Sequence, residues 1–186
     1  MQTAVSKILG VDPGTNILGY SVIELQSDGI IILDLGTIKL DKKSDHQTKL
    51  KEIFLQLQEI IETFLPEVMA IEAPFFGKNV QSMLKLGRAQ GVAMAAAMTM
   101  GLEIAEYSPK RIKQSVTGNG NAAKEQVSAM LAQLLKRPMH NVSLDASDAL
   151  ATAYCHYLQV SGVSVTRPDR YAGWDSFIKK NPGRIS

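Results

Sequence analysis

Two acidic residues directly follow short runs of apolar residues. Asp12 ends the run 8–11, and Glu72 ends the run 68–71. Such runs are typical of buried strands, and ligands of open α/β sheets bind beyond the carboxyl ends of the strands. If these strands are parallel neighbours, about 4.8 Å apart, both carboxylates converge at one sheet edge. Like charges so close raise each other's pKa unless a cation lies between them, and a hard cation such as Mg²⁺ prefers oxygen ligands.

A second acidic pair, Asp145 and Asp148, stands near the start of a predicted helix whose N-cap is Ser143. Their spacing of three places both side chains on one helix face, and the helix N-terminus favours their ionised forms. Alanines occupy many of the neighbouring positions. This helix can therefore lie close against the sheet and present two more carboxylates to the same edge.

Each acid also has a purely structural interpretation. Asp12 before Pro-Gly suits a turn, Glu72 can end a strand, and an Asp pair at a helix start can complement the helix dipole. The joint pattern favours a divalent-metal site, and the residues alone leave both interpretations open. No GxGxxG, GxxxxGKS/T, GxSxG or HExxH motif occurs. We interpret His156, which adjoins Cys155, as helix packing rather than a Cys–His dyad.

The strands that must position these acids follow from hydrophobic periodicity. The segment Ser27-Asp28-Gly29 is turn chemistry between two strand-like runs, which predicts a hairpin and, with the first run, a three-stranded meander. Two later short apolar runs each follow a predicted helix. Five strands are thus predicted, at about residues 8–11, 19–25, 30–38, 68–71 and 102–107.

Helical periodicity separates and follows these strands. Ser44 and Gln47 fit a capping box at the start of an amphipathic helix that Pro66 ends. The helix at 80–100 is apolar nearly all round beyond Ala89, so it is buried in the core or in a subunit interface. Further helices are predicted at 109–116, 122–135 and 144–159. We therefore expect an α/β fold, a mixed five-stranded sheet with helices on its faces.

Length and composition limit the class of protein. A chain of 186 residues corresponds to about one domain, and we expect that domain at 1–160 with a flexible C-terminal tail at 161–186. The single cysteine, Cys155, excludes an internal disulfide. The N-terminus lacks a signal-peptide core, and the longest apolar tract, 92–100, is too short to span a membrane. We expect a soluble cytoplasmic protein without membrane contact.

The small net charge of +2 conceals an uneven distribution. Residues 1–73 carry 6 basic and 11 acidic side chains, whereas residues 74–138 carry 9 basic and 3 acidic ones. Such asymmetry indicates a charged partner for the basic segment, although a solvated helical face would show the same pattern.

Several segments, in order along the chain, resemble the motifs of the RuvC-type Holliday junction resolvases. The first motif resembles residues 8–16, ILGVDPGTN, followed by Gly19 and Tyr20. The later motifs resemble Ile71-Glu72 with Phe75, Phe76, Lys78 and Asn79, then Ala89-Gln90-Gly91, then residues 113–120 (KQSVTGNG) and residues 145–151 (DASDALA). The similarity runs from about residue 6 to residue 158, which is most of the chain.

The resemblance implies an RNase H-like fold and an endonuclease that resolves four-way DNA junctions in homologous recombination and DNA repair. It implies hydrolysis by two Mg²⁺ ions per active site, for which Mn²⁺ can substitute. It carries the metal-binding catalytic role onto Asp12, Glu72, Asp145 and Asp148. It also implies a homodimer, because paired symmetric nicks require two sites related by a twofold axis, and the helix at 80–100 is our interface candidate.

Further roles follow from the same resemblance. Two family lysines fall on Lys113 and Lys124, and a base-stacking aromatic falls by spacing on Phe75, with Phe76 as the alternative. A branch-migration complex, RuvA–RuvB, is the implied protein partner. The predicted DNA surface is the basic segment, with the additional candidates Lys78, Lys85, Arg88, Lys110 and Arg111.

Three other functions remain to be separated from this one. A nuclease of the same fold could act on RNA–DNA hybrids or short oligonucleotides. Half of a sugar-kinase or actin-like ATPase also begins with a strand, an Asp and a Gly turn, but would need a second phosphate-binding turn. A non-catalytic junction-binding protein would not need all four acids.

Overall fold

The structure is a computed structural model that describes residues 6–74 and 79–162. Phe75, Phe76 and Lys78 lie outside the described residues, as does the predicted tail from 163 onward. Within the described ranges, no helix is long and apolar enough to cross a membrane. In chain order the elements are β1 (Lys7–Asp12), β2 (Ile17–Gln26), β3 (Gly29–Lys39), α1 (His46–Phe64), β4 (Val68–Glu72), α2 (Val80–Thr99), β5 (Glu103–Tyr107), α3 (Pro109–Thr117), α4 (Lys124–Leu134) and α5 (Leu144–Val160).

The strands form one mixed sheet in the order β3-β2-β1-β4-β5. The first three strands are antiparallel neighbours, which confirms the predicted meander. β4 is parallel to β1 and β5 is parallel to β4, because a helix returns the chain between these strands. β2 and β3 carry no acid of the proposed site, and the parallel strands β1, β4 and β5 end at one edge of the sheet.

Alternation along the strands divides the core into two layers. Leu9 and Met69 pack on the face covered by α1 and α2. Their neighbours Ile8 and Val68 pack on the opposite face, with α3, α4 and α5. Successive strand residues point to opposite faces, so the continuously apolar runs of β1 and β4 serve both layers. The expectation of helices on both faces of a mixed five-stranded sheet is confirmed.

The start of α1 corrects one prediction. We expected a capping box with Ser44 as the cap and Gln47 as its partner. The N-cap is instead Asp45, whose carboxylate accepts a 2.7 Å hydrogen bond from the Thr48 amide. The Ser44 amide donates to the Asp41 carbonyl in the preceding turn, so the helix begins one residue later than the pattern indicated.

Helix α2 has one buried face and one open face. Ala89, Ala93 and Ala97 are buried against the core, as the small-residue pattern predicted. Gly87 and Gly91 lie on the other side, where a Cβ would meet no heavy atom within 4 Å. The helix is therefore a core element whose outer surface is free in this chain.

Candidate active site

The parallel pairing of β1 with β4 brings two acids to one sheet edge. The register pairs Val11 with Ile71, so Asp12 and Glu72 are the next residues of adjacent strands. Both line one pocket, together with Pro13, the two residues that follow β4, and two residues of α2. The predicted convergence of these two strand ends is observed.

Helix α5 brings Asp145 towards this edge because Gly19 leaves room for it. Gly19 pairs with Asp12 in the β1–β2 ladder. A Cβ on Gly19 would lie 2.0 Å from the main-chain carbonyl oxygen of Asp145. The predicted N-cap is present, since the Ser143 hydroxyl accepts a hydrogen bond from the Ala146 amide at 3.3 Å. The start of α5 therefore lies close to the end of β1.

Asp12 stands in a strongly negative environment. Burial raises its pKa, and the charges of Glu72, Asp148 and Asp145 raise it further, while Lys124 acts in the opposite direction. The resulting pKa is about 8. A carboxyl group with such a pKa holds its proton at neutral pH unless a cation takes the proton's place.

Glu72 and Asp148 share this environment. Burial raises the pKa of Glu72, and the Asp148 charge adds to the effect. Burial likewise raises the pKa of Asp148, although its hydrogen bond and ion pair with Lys124 oppose the shift. Three of the four acids thus have raised pKa values for which burial is the largest cause.

Two lysines lie against the same acids. Lys124, the first residue of α4, forms an ion pair with Asp148, whose side chain is 13% exposed. Burial lowers the pKa of Lys124, but its bond to Asp148 and the nearby carboxylate charges outweigh burial and raise that pKa above its usual value. Lys113 of α3 lines a second pocket with Glu72, Lys124 and Asp148. The two pockets meet at Glu72.

The chemistry of this donor set fits a hard divalent cation. The candidate ligands are carboxylate oxygens, which Mg²⁺ and similar ions prefer. Neighbouring carboxylate charges add to the effect of burial on the pKa values of Asp12, Glu72 and Asp148, and a cation would relieve that repulsion. Within residues 6–74 and 79–162, however, no three His, Cys, Asp or Glu side chains are already gathered closely enough to hold a metal ion. The acids share one electrostatic environment without forming a closed coordination shell.

The other predicted DNA contacts are spread over two helices. Lys85 and Arg88 are exposed on α2, and Lys110 is exposed on α3. Arg111 is engaged within the protein, because its guanidinium lies 5.2 Å from the ring centre of Tyr107 and bonds to the Gln159 side chain. Phe75, Phe76 and Lys78 lie outside the described residues, so their predicted contacts stay predictions.

Sequence reasoning assigned no role to Gln90. This residue is 6% exposed and lines the pocket of Asp12 and Glu72. The available signal was a lone amide in an otherwise apolar stretch, since residues 89–98 contain no other side chain that hydrogen-bonds strongly. His156 behaves as predicted: its Nδ1 is 2.7 Å from the Tyr107 hydroxyl oxygen, and the adjacent Cys155 is buried.

Comparison with known proteins decides the family. The family model described as "Crossover junction endodeoxyribonuclease RuvC" matches residues 8–156. The chain belongs to the RuvC family. A RuvC protein of Cytophaga hutchinsonii is 53% identical over 178 residues, covering 96% of this chain and 87% of that protein. The RuvC protein of Porphyromonas gingivalis is 49% identical over 181 residues, covering 96% of both chains. The chain is therefore an endonuclease by family.

Solved structures agree with this assignment. Thermus thermophilus RuvC in complex with a Holliday junction substrate has a TM-score of 0.77 and 28% identity, covering 84% of this chain and 96% of that one. The yeast mitochondrial Holliday junction resolvase Ydc2 has a TM-score of 0.66 at 16% identity, covering 84% and 80%. The second likeness supports the fold alone. Members of the RuvC family are metal-dependent nucleases.

Proposed function

We propose that this RuvC-family chain resolves four-way DNA junctions, in homologous recombination and DNA repair, by paired symmetric nicks. The observation that carries the proposal is the placement of Asp12, Glu72 and Asp148 with Lys113 and Lys124 around two pockets that meet at one sheet edge. Partly buried acids beside lysines suit hydrolysis of a phosphodiester, because acids can hold cations while lysines face the phosphate.

The four acids are proposed as the metal ligands. We assign Asp12, Glu72, Asp145 and Asp148 to two Mg²⁺ ions per site, with Mn²⁺ as a substitute. When bound, the metal supplies Lewis acidity that activates water and stabilises the leaving oxygen. Asp12 is central to the set, since the charges of the other three all act on its pKa.

The two lysines are proposed to act on the phosphate. Lys113 and Lys124 are the basic residues that line the pocket with Glu72 and Asp148, so each can stabilise charge that develops on a phosphate bound there. Lys78, Lys85, Arg88, Lys110 and Arg111 are proposed to contact the DNA backbone, and Phe75 or Phe76 is proposed to stack on a junction base.

A homodimer is proposed through the open face of α2. On this face Val80, Leu84 and Met98 are 66%, 52% and 56% exposed, which is unusual for three large apolar side chains on one helix. Gly87 and Gly91 leave space between them, so a second backbone can approach closely. Two sites related by a twofold axis would then cut two strands symmetrically.

The remaining assignments concern the cellular setting. We propose that residues 1–160 form the nuclease domain and residues 161–186 a separate tail. We also propose that the enzyme works in the cytoplasm with a RuvA–RuvB branch-migration complex. Pull-down of those partners on a preformed junction, with and without residues 161–186, tests both points.

Cleavage of labelled DNA tests the central proposal. The wild-type chain should cut a synthetic four-way junction in Mg²⁺, and should cut a linear duplex and an RNA–DNA hybrid far more slowly. EDTA should abolish cleavage. Asp12→Asn should lower the rate by several orders of magnitude, because it removes a metal ligand, whereas Asp28→Asn at the exposed β2–β3 turn makes the same chemical change and should cleave normally. Preferred cleavage of the hybrid would contradict the proposed substrate.

A further inference from the structure

At the end of β4 the main chain cannot receive from β1 the hydrogen bond that a parallel ladder normally supplies. The Ala73 amide donates a 2.8 Å hydrogen bond to the Tyr107 carbonyl oxygen of β5. A trans peptide holds its N–H and C=O in opposite directions, so the Glu72 carbonyl points towards β1. There the β1–β4 register continues to Pro13, which has no N–H to donate.

The side chain of Gln90 reaches the Glu72 carbonyl from α2. Its Nε2 lies 3.5 Å from the Glu72 carbonyl oxygen, at the outer limit of a hydrogen bond. The same Nε2 donates a 2.9 Å hydrogen bond to Glu106 Oε2 of β5. One buried amide therefore contacts both β4, which ends at Glu72, and its neighbour β5.

Burial of this amide needs an explanation. A polar group removed from water costs free energy unless it is hydrogen-bonded, and the neighbouring buried positions of α2 are filled by Ala89 and Ala93 at no such cost. The bonds to Glu106 and towards Glu72 offset the burial of Gln90. These bonds also hold α2 against the end of β4, at Glu72, whose carboxylate is a proposed metal ligand.

We propose that Gln90 is a positioning residue, which fixes where β4 delivers the Glu72 carboxylate by holding the adjacent main chain against Glu106. This inference rests on the proposed role of Glu72 as a metal ligand. Gln90 is assigned no contact with the metal or the phosphate; it acts through Glu72. Loss of the amide should therefore weaken metal binding while leaving junction binding intact.

Three variants test the proposal. Gln90→Met keeps the length of the side chain and removes the donor, Glu106→Ala removes the acceptor, and Glu106→Gln retains an acceptor oxygen. We expect Gln90→Met and Glu106→Ala to raise the Mn²⁺ dissociation constant, measured by calorimetry without DNA, by about tenfold, as for other groups that orient metal ligands. The Mg²⁺ concentration for half-maximal cleavage should rise in parallel, and kcat at saturating Mg²⁺ should fall less.

Glu106→Gln should retain near wild-type metal binding. The double variant of Gln90→Met and Glu106→Ala should bind Mn²⁺ no more weakly than either single variant.

The controls separate positioning from folding and from catalysis. Gln133→Met makes the same change at an exposed position of α4 and should leave metal and junction binding unchanged. If Gln90→Met does not fold, the exposed Glu106 still provides the test. Wild-type Mn²⁺ binding by a folded Gln90→Met overturns the proposal, as does a severe Gln90→Met defect beside a silent Glu106→Ala. Failure of the wild-type chain to cleave junctions would refute the proposed function instead, and calorimetry would still decide the role of Gln90.

Discussion

Gly19 and the main chain of Asp145 are packed so closely that a Cβ on Gly19 would lie 2.0 Å from the Asp145 carbonyl oxygen. Gly19 also pairs with Asp12 in the β1–β2 ladder. Gly19, which pairs with the proposed metal ligand Asp12, thus sets the position of α5. That helix carries two other proposed ligands, Asp145 and Asp148. Gly10 repeats the arrangement one turn along, where a Cβ would lie 2.3 Å from the Ala149 carbonyl oxygen. Both glycines allow α5 to lie directly on the sheet.

Gly19→Ala should therefore impair the active site as well as the fold. The added methyl group must push the start of α5 away from β2, at a cost of about 1–3 kcal/mol for overpacking. Because Asp145 and Asp148 move with the helix, we expect the rate of junction cleavage at fixed Mg²⁺ to fall about 10- to 100-fold. Thermal unfolding and Mg²⁺ titration of the folded variant measure the two effects. A folded variant with wild-type Mg²⁺ dependence would show that α5 need not be seated so closely.

The raised pKa of Asp12 predicts that the metal-free protein loses stability as the pH rises. The folded-state pKa of about 8 exceeds the ordinary value of 3.8, so between these pH values the folded state binds more protons than the unfolded state. The free energy of unfolding then falls across this window and levels off above pH 8. Allowing for solvent screening, we expect a loss of about 2–3 kcal/mol from this group, measured by urea unfolding in EDTA from pH 5 to pH 8.

Asp12→Asn supplies the control for this pH dependence. An amide at position 12 removes the buried charge, so the variant should lose less stability between pH 5 and pH 8 and should exceed the wild type at pH 8 in EDTA. Saturating Mg²⁺ should stabilise the wild type at pH 8 and have little effect on the variant. Parallel pH curves for the two proteins in EDTA would show that Asp12 does not titrate in this window.

Lys124 should compete with the metal for Asp148. Its ammonium is paired with that carboxylate, and a bound cation would take over part of the same charge. We expect Lys124→Met to lower the Mn²⁺ dissociation constant by about two- to fivefold. This change corresponds to the free energy of an exposed ion pair, which is up to about 1 kcal/mol. Cleavage should nevertheless slow, since the proposed contact with the phosphate is lost. Lys113 lines the same pocket but is not the partner in this ion pair, so Lys113→Met should change metal binding less. Equal changes of the Mn²⁺ dissociation constant in the two variants would argue against direct competition.

The position of the acids could largely be predicted from local pattern. The runs before Asp12 and Glu72 are apolar at every position, which is typical of strands covered on both faces. The convergence of their carboxylates was expected on the condition that the two strands are parallel neighbours, and the pairing of β1 with β4 meets that condition. Ser143 and the Asp pair likewise defined the start of α5 without knowledge of the fold.

Contacts between distant elements could not be predicted in this way. The pairing of Lys124 with Asp148 depends on how α4 packs against α5. The proposed role of Gln90 depends on the lack of an N–H at Pro13, which follows β1, and on the position of Glu106 in β5. The N-cap at Asp45 was missed because Ser44 and Gln47 satisfied the same local pattern one residue earlier. For Lys124 and Gln90 the deciding partner lies outside the window in which a sequence pattern is recognised.

The open face of α2 predicts that one charge there separates the proposed dimer. Leu84 is 52% exposed, and complete burial of a leucine contributes about 1.5–3 kcal/mol, counted twice across a twofold interface. Leu84→Glu should therefore raise the dimer dissociation constant by at least about tenfold, the equivalent of about 1.4 kcal/mol, as measured by sedimentation. The monomeric variant should nick single strands of a junction instead of making paired cuts. Leu134→Glu makes the same change on α4, at a leucine that is 44% exposed, and should stay dimeric. Dissociation of the Leu134→Glu variant, with Leu84→Glu unaffected, would move the interface away from α2.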